Sequence, residues 1–272
     1  MVGTELYDVA LYRSLAKMQR ATNGLIAVNT RSLSELTPAE VHLETQWQRE
    51  LEPVLTDLYW YPLRNGIDYV PDTGLKRWLR DQLSAAVAIA ALLALLRRYL
   101  IRGVNVGGKM ALDLLGLNGS FYLQNRQYVD DIYSHADTLT TVGTDLSLID
   151  TTVDHLAGAI PAAKQGEGHP LLALGASIVG WAAVRSVNIA ITEESRTVAQ
   201  GLNWTYGENG IERQVFRARE DACPICSPLD GSVMPVNDVP GELSIPVHTR
   251  CRCWYEALTD GWTKPDKIWR GE

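Results

Sequence analysis

The sequence predicts a mainly α protein, with an elongated helical body followed by a small C-terminal α+β lobe. Apolar residues recur at helical spacing over the first two hundred positions. After about residue 202, glycine, proline, asparagine and aspartate become frequent and the apolar runs shorten. All four cysteines lie within residues 223–253, in this second part. We therefore expect a helical domain over residues 1–201 and a small lobe over residues 202–272.

The N-terminal third reads as helices and one ordered loop. Apolar residues at helical spacing predict a first helix over residues 6–18. The run Thr37-Pro38-Ala39-Glu40 offers an N-cap, a proline at the first helical position and a returning glutamate, so a helix should begin there. Pro53 is expected to bend or end this helix. Residues 59–74 mix proline and glycine with aromatic residues, which indicates an ordered loop.

The middle of the chain predicts a long helix over residues 75–101. Gly103, Gly107 and Gly108 then break the pattern, and a short helix over residues 110–115 resumes it. The pair Asn118-Gly119 offers a left-handed stop. The glycine segment also matches the spacing Gly-x-x-x-x-Gly-Lys of a phosphate-binding loop, but Met110 stands where that loop needs a hydroxyl. We interpret the segment as a turn between helices.

Three further helices and two strands complete the prediction. Helical periodicity resumes from Asn125, a next helix covers residues 146–160 and ends at Pro161, and a last long helix covers residues 171–201. Residues 212–218 and 252–258 read as strands. No internal repeat is visible.

Composition argues against several classes of protein. With 32 acidic and 25 basic residues the net charge is −7, so polyanions are repelled overall. The sequence has two short basic clusters. One contains Arg97, Arg98 and Arg102, and the other contains Arg213, Arg217 and Arg219. We interpret both as helix ends and solvated faces. The first residues lack a basic start followed by an apolar run, so we expect no secretory signal. The apolar stretches 85–96 and 171–184 fall short of the ~20 residues of a membrane span, so we expect buried core helices and no membrane partner.

The strongest chemical signal is a pair of cysteine clusters. Cys223-Pro224-Ile225-Cys226 can turn two thiolates toward one ion, and His248 with Cys251 and Cys253 can supply the remaining corners of a tetrahedral zinc site. Five donors thus compete for four positions, and we favour His248 together with one of the last two cysteines. Such a closed site is structural, and stabilises a lobe with a small core. Two disulfides or four free thiols are the alternatives.

No catalytic constellation accompanies this pattern. Zinc deaminases need a His-x-Glu element before their cysteine pair, whereas here the order is reversed and position 250 is arginine. There is no Gly-x-Ser-x-Gly motif. His42, His135 and His155 lie on helical segments, and Asp154 beside His155 points away from it, since neighbours on a helix diverge. We therefore predict no enzymatic activity.

Three motifs together resemble one known family. The block from Asp221 to Gly231, followed by His248 and by Cys251-Arg252-Cys253, resembles the C-terminal signature of Mu F-like phage head-morphogenesis proteins. Upstream, residues 189–196 match that family's Ile-Ala-x-Thr-Glu-x-x-Arg helix, and residues 121–125 match its Phe-x-Leu-x-Asn start of a helix. The resemblance covers residues 100–258. One departure is Thr249, where the family usually has proline.

The resemblance implies a minor capsid protein of a tailed phage. Such a protein is made in the host cytoplasm and lies in the virion, inside the head near the portal. Its partners would be the portal protein and other head proteins, with contact to packaged DNA as a side role. Thr192, Glu193 and Arg196 would clamp the helix to the zinc lobe. Two other classes stay open: a zinc-dependent nucleic-acid-binding protein, and a module associated with an effector or toxin.

Overall fold

The computed structural model describes residues 38–85, 87–144, 146–166, 168–220 and 222–259. Over these residues the chain is mainly helical and ends in a small antiparallel sheet, which confirms the predicted secondary-structure class. The helix predicted over residues 6–18 lies outside the described residues. The helices are α1 (Pro38–Trp60), α2 (Leu75–Ser84), α3 (Val87–Leu114), α4 (Arg126–Thr140), α5 (Leu148–Gln165) and α6 (Pro170–Glu208).

Helix α1 begins at Pro38, as its capping sequence predicts. Pro53 was predicted to bend or end this helix. It does not end the helix, which continues to Trp60. Leu51, Leu55 and Leu58 are all fully buried, so packing on both sides of the proline holds the helical path. The loop that follows is ordered by two short 3₁₀ turns, Tyr61–Leu63 and Ile67–Tyr69.

Helix α3 corrects the prediction for the middle of the chain. The helix predicted over residues 75–101 is two helices, and the second runs without a break through Gly103, Gly107 and Gly108. A Cβ on Gly107 would overlap the backbone carbonyl of Val198. These glycines are therefore contact points between helices, not breaks. The phosphate-loop spacing consequently lies inside a helix and forms neither a phosphate loop nor a turn.

The ends of the next helices follow recognisable caps. Helix α3 stops four residues before the predicted Asn118: Gly116 has φ +65°, and the amide of Leu117 donates to the carbonyl of Leu112, which closes the last turn. Asn125 caps α4 by accepting a hydrogen bond from the amide of Gln127, as the predicted helix start requires.

Helices α5 and α6 are longer than predicted. The side chain of Ser147 caps α5, which continues through Pro161 to Gln165. Helix α6 has 39 residues and continues seven residues beyond the predicted end at 201, to Glu208.

The three-stranded sheet has the order β2-β1-β3, with both pairs antiparallel. β1 (Arg213–Arg217) and β3 (Trp254–Ala257) confirm the two predicted strands. β2 (Val233–Pro235) was not predicted because it has only three residues. Phe216 in the central strand is fully buried and meets Tyr255 of β3 edge to face, with ring centroids 6.5 Å apart.

Contacts divide the chain into two compact units. The first contains Gln48–Leu95 and His135–Val187, and the second contains Leu96–Ser134 together with the described parts of 32–47 and 188–272. The cysteine block, by which we mean residues 212–258 with the sheet and both cysteine pairs, belongs to the second unit, together with the first turns of α1 and the second half of α6. The predicted domain boundary near residue 202 stays a prediction.

Helix α6 is, by length and composition, able to cross a membrane. Its most apolar 18-residue window has a mean hydropathy of 1.5, and 44% of that window is buried inside the protein. The apolar stretch is thus longer than predicted. The same helix also buries Arg185, Glu194 and Thr197 within the protein. That the chain has no membrane partner stays a prediction.

Candidate metal centre

The structure brings all five predicted donors together in two overlapping groups. Cys223, Cys226 and His248 lie within 4.8 Å of one another, and so do Cys226, Cys251 and Cys253. Cys226 belongs to both groups. All four cysteines are free thiols, so the disulfide alternative is not the one that the structure adopts. This cluster can hold a metal ion.

A tight turn places the first two sulfur atoms. The amides of Cys226 and Ser227 both donate to the carbonyl of Cys223, at 3.1 and 3.0 Å. Two cysteines separated by two residues in such a turn can present their sulfur atoms to one ion. Pro224 and Ile225, at the outside of the turn, are exposed.

Within each of the two groups, the donor atoms are at distances that one ion could bridge. The Nε2 atom of His248 is 3.0 Å from the sulfur atoms of both Cys223 and Cys226. The sulfur atoms of Cys226 and Cys251 are 3.9 Å apart. Two thiolates on one tetrahedral zinc ion, with bonds of about 2.3 Å, stand about 3.8 Å apart.

The ring of His248 is oriented by a backbone carbonyl. Its Nδ1 atom is 2.7 Å from the carbonyl oxygen of Thr249, which can only accept, so Nδ1 carries the proton. Nε2 therefore turns a lone pair toward the sulfur atoms, which is the state that a metal ligand needs.

Protons are unevenly distributed among the thiols. The hydrogen bond from Cys253 lowers the pKa of Cys251 to about 5. Burial, together with the negative charge of Cys251, raises the pKa of Cys226 to about 12. The hydrogen bond to Cys251 and burial raise the pKa of Cys253 as well. The buried cluster thus holds one thiolate readily, and a divalent cation would relieve the repulsion that keeps the other thiols protonated.

One face of α6 holds the loop that carries the second cysteine pair. The hydroxyl of Thr192 accepts from the amide of Arg250, at 3.0 Å, and the side chain of Asn188 accepts from the guanidinium of Arg250. Ser195 donates to the carbonyl of Cys251. Arg250 has φ +63°, a rare conformation for a residue with a side chain, so these contacts fix a strained backbone.

The predicted clamp of Thr192, Glu193 and Arg196 is confirmed for Thr192, and for the other two residues it stays a prediction. Glu193 and Arg196 form an ion pair with each other, at 3.0 Å. Asn188 and Ser195 were missed, although their spacing from Thr192, four and three residues, places all three on one helix face.

Two glutamates of α1 bind arginines of the cysteine block. Glu44 accepts two hydrogen bonds from Arg252, at 2.8 and 2.9 Å, and Glu40 accepts one from Arg219, at 3.3 Å. Arg219 also donates to the carbonyl of Arg252. Both carboxylates are buried. Because Arg252 lies between Cys251 and Cys253, these ion pairs help to position the second cysteine pair.

A third glutamate, Glu194, lines a small cavity together with Glu40 and Glu44. Glu194 is buried, and its Oε1 atom has no hydrogen-bond partner. Burial, followed by the charges of Glu44 and Glu40, raises the pKa of Glu194 well above its ordinary value. The cavity is lined by Glu40, Glu44, Glu194, Ser195, Val198, Arg252 and Cys253. When Glu194 is protonated, the carboxylates of Glu40 and Glu44 are balanced by the guanidinium groups of Arg219 and Arg252.

We expect Glu194→Gln to remove part of the pH dependence of stability. The pKa of Glu194 is higher in the folded protein than in the unfolded chain, where it is about 4.5. The resulting stabilisation is fully present below the unfolded pKa. It is lost as the pH rises toward the folded pKa, by up to about 1.4 kcal/mol per pH unit. Urea unfolding at pH 5 and pH 8 measures this difference. The variant should lose less stability between these pH values than the wild type, and the exposed Glu212→Gln should behave like the wild type. Equal losses in all three proteins would contradict a protonated Glu194.

Most arginines of the cysteine block are engaged within the protein. Arg217 pairs with Glu256 of β3, while Arg219, Arg250 and Arg252 bind the groups named above. Binding to nucleic acid would compete with these contacts. In the other basic cluster, the guanidinium of Arg97 stacks over Tyr133, and Arg98 and Arg102 stack over Tyr99. Arg217 and Arg219 of one cluster, and all three members of the other, thus contact groups within the protein.

Comparisons with known protein families, with curated proteins and with solved structures find no match to this chain.

Proposed function

We propose that the chain is a minor head protein of a tailed phage, of the Mu F-like kind, in which a structural zinc ion stabilises the cysteine block. The observation that supports this is the placement of the three motifs. Residues 121–125, residues 189–196 and the block of cysteines and histidine all fall in one compact unit. There Phe121 packs against Gly108, and Thr192 and Ser195 bind the cysteine loop.

Zinc is the metal that fits this donor set. Thiolates and one imidazole, in a partly buried cluster without carboxylate donors among the described residues, favour zinc over magnesium or calcium. We assign the ion to Cys223, Cys226, His248 and Cys251. The remaining thiol, Cys253, faces the cavity beside Glu194 and supports Cys251 through its hydrogen bond.

A structural role follows from the small core of this region. The strands have five, three and four residues, and the loops between them depend on the turn at Cys223 and on the α6 contacts. Short strands of this length are marginal without a further constraint. A metal ion bound by both cysteine pairs closes the loop between residues 226 and 248 and supplies that constraint.

We expect particles of the phage that encodes this chain to carry it in the head. Heads and tails separated after disruption would be analysed by quantitative mass spectrometry. The chain should be recovered with the portal protein in a few copies per head and should be missing from tails. Recovery in the tail fraction alone would contradict the proposal, whatever the metal content of the protein.

A further inference from the structure

A buried arginine in the first unit lacks an acidic partner. Arg185 on α6 is 8% exposed. Its guanidinium donates to the hydroxyls of Tyr59 and Thr152 and to the carbonyl of Leu148, at 3.0, 2.7 and 2.9 Å. All three acceptors are neutral, and over the described ranges Arg185 forms no ion pair. Buried charges are normally paired, so this guanidinium leaves one positive charge uncompensated.

A hydrogen-bonded chain leads from this charge to the surface. Because the guanidinium can only donate, the oxygen of Tyr59 accepts from it, and this hydroxyl lies 2.7 Å from Nδ1 of His155. When the Tyr59 hydroxyl donates to Nδ1, His155 carries its proton on Nε2, and this is the tautomer on which the inference below rests. Burial and the charge of Arg185 lower the pKa of His155, so the ring is neutral at neutral pH. Each bond in such a chain polarises the next.

The chain ends at a donor that solvent reaches. Nε2 of His155 has no protein partner among the residues described and is not a buried atom. The ring of Trp181 lies beside it, with centroids 5.0 Å apart, and the indole N–H is likewise neither bonded nor buried. Asp154, the neighbouring carboxylate, is paired with Lys76 at 2.7 Å, and Asp150 with Arg80 at 2.8 Å. Each of these carboxylates thus has its own cation beside it, whereas Arg185 has no counter-charge of its own in the part of the chain that the structure describes.

We propose that His155 and Trp181 form a binding site for a single oxyanion, a phosphate or a carboxylate group. The two ring N–H groups would donate to its oxygen atoms, and the buried guanidinium, acting through Tyr59, would supply the compensating charge. The site belongs to the first unit and does not depend on the metal centre or on the proposed role in the phage head.

The test uses the full chain labelled with ¹⁵N and follows the ring nitrogens of histidine and the indole signals of tryptophan. Inorganic phosphate and acetate are each titrated at constant ionic strength against chloride, and His155→Gln and Trp181→Phe assign the signals. We expect saturable shifts of the His155 and Trp181 signals and an Nε2-protonated ring before addition. Saturation by phosphate, by acetate or by both supports the site and identifies the group it accepts.

Two variants separate the site from general charge effects. His155→Gln and Tyr59→Phe should each weaken binding by about tenfold or more, because the first removes a donor and the second cuts its link to Arg185. His135→Gln, at another half-exposed histidine of the same unit, should leave the affinity unchanged. Shifts that do not saturate, an Nδ1-protonated His155, or affinity unaltered in folded His155→Gln would each overturn the proposal.

Discussion

Replacing Cys226 with serine should abolish stoichiometric zinc binding and unfold the cysteine block. Cys226 is the donor shared by both groups, and its sulfur atom contacts His248 and Cys251. Apparent binding free energies of structural zinc sites are about 10–16 kcal/mol, which equals or exceeds the whole stability of a typical domain. Elemental analysis measures the zinc content. Limited proteolysis should show cleavage from about residue 213 onward while the helices of the first unit resist.

The matched control is Ile225→Ser, in the same turn. Ile225 is 58% exposed and offers no donor atom, so its replacement should leave zinc content and protease resistance unchanged. Full zinc occupancy with a resistant cysteine block in Cys226→Ser would remove the assignment. Loss of zinc from an intact block would keep the site and deny it a structural role.

Local signals in the sequence were sufficient wherever short-range contacts decide the structure. The start of α1 at Pro38 and the start of α4 after Asn125 follow from side chains that cap their own helix. β1 and β3 follow from short runs that are bounded by turn residues. The cysteine spacing likewise predicted which five donors meet, because each pair is close in sequence and a metal centre needs both pairs.

Helix ends that depend on distant packing could not be predicted in this way. Gly103 and Gly107 look like helix breakers, yet each accepts the close approach of α6, about ninety residues away in sequence. Pro53 and Pro161 lie inside helices whose apolar faces are buried on both sides of the proline. Propensity is a weak guide when tertiary contacts of this kind outweigh it.

The contacts around the candidate metal centre could not be predicted from the sequence for the same reason. Glu40 and Glu44 bind Arg219 and Arg252 across 179 and 208 residues, and no local pattern marks either carboxylate. Their spacing of four residues places them on one helix face, but the same spacing is common in solvated helices. Only the fold shows that this face of α1 is buried against the cysteine block. Likewise, only the fold shows that Glu194 is buried.

Two glycines of α6 should respond in opposite directions to the same substitution. A Cβ on Gly201 would overlap the backbone carbonyl of Val104 in α3, whereas a Cβ on Gly180 would meet nothing within 4 Å. Gly180→Ala should stabilise the protein by about 0.5–1 kcal/mol, because alanine loses less backbone entropy in a helix. Gly201→Ala should destabilise it by about 2 kcal/mol or more, since a backbone carbonyl cannot rotate away and the two helices must separate.

Urea denaturation of both variants measures the two changes in the free energy of unfolding. Because both positions lie inside one helix and both variants add one methyl group, helix propensity contributes equally, and the difference between them isolates the contact of α6 with α3. A difference of about 3 kcal/mol is expected. Stabilisation by Gly201→Ala equal to that by Gly180→Ala would mean that α3 and α6 do not approach at Val104, and the glycines would then be the helix breaks that their sequence suggests.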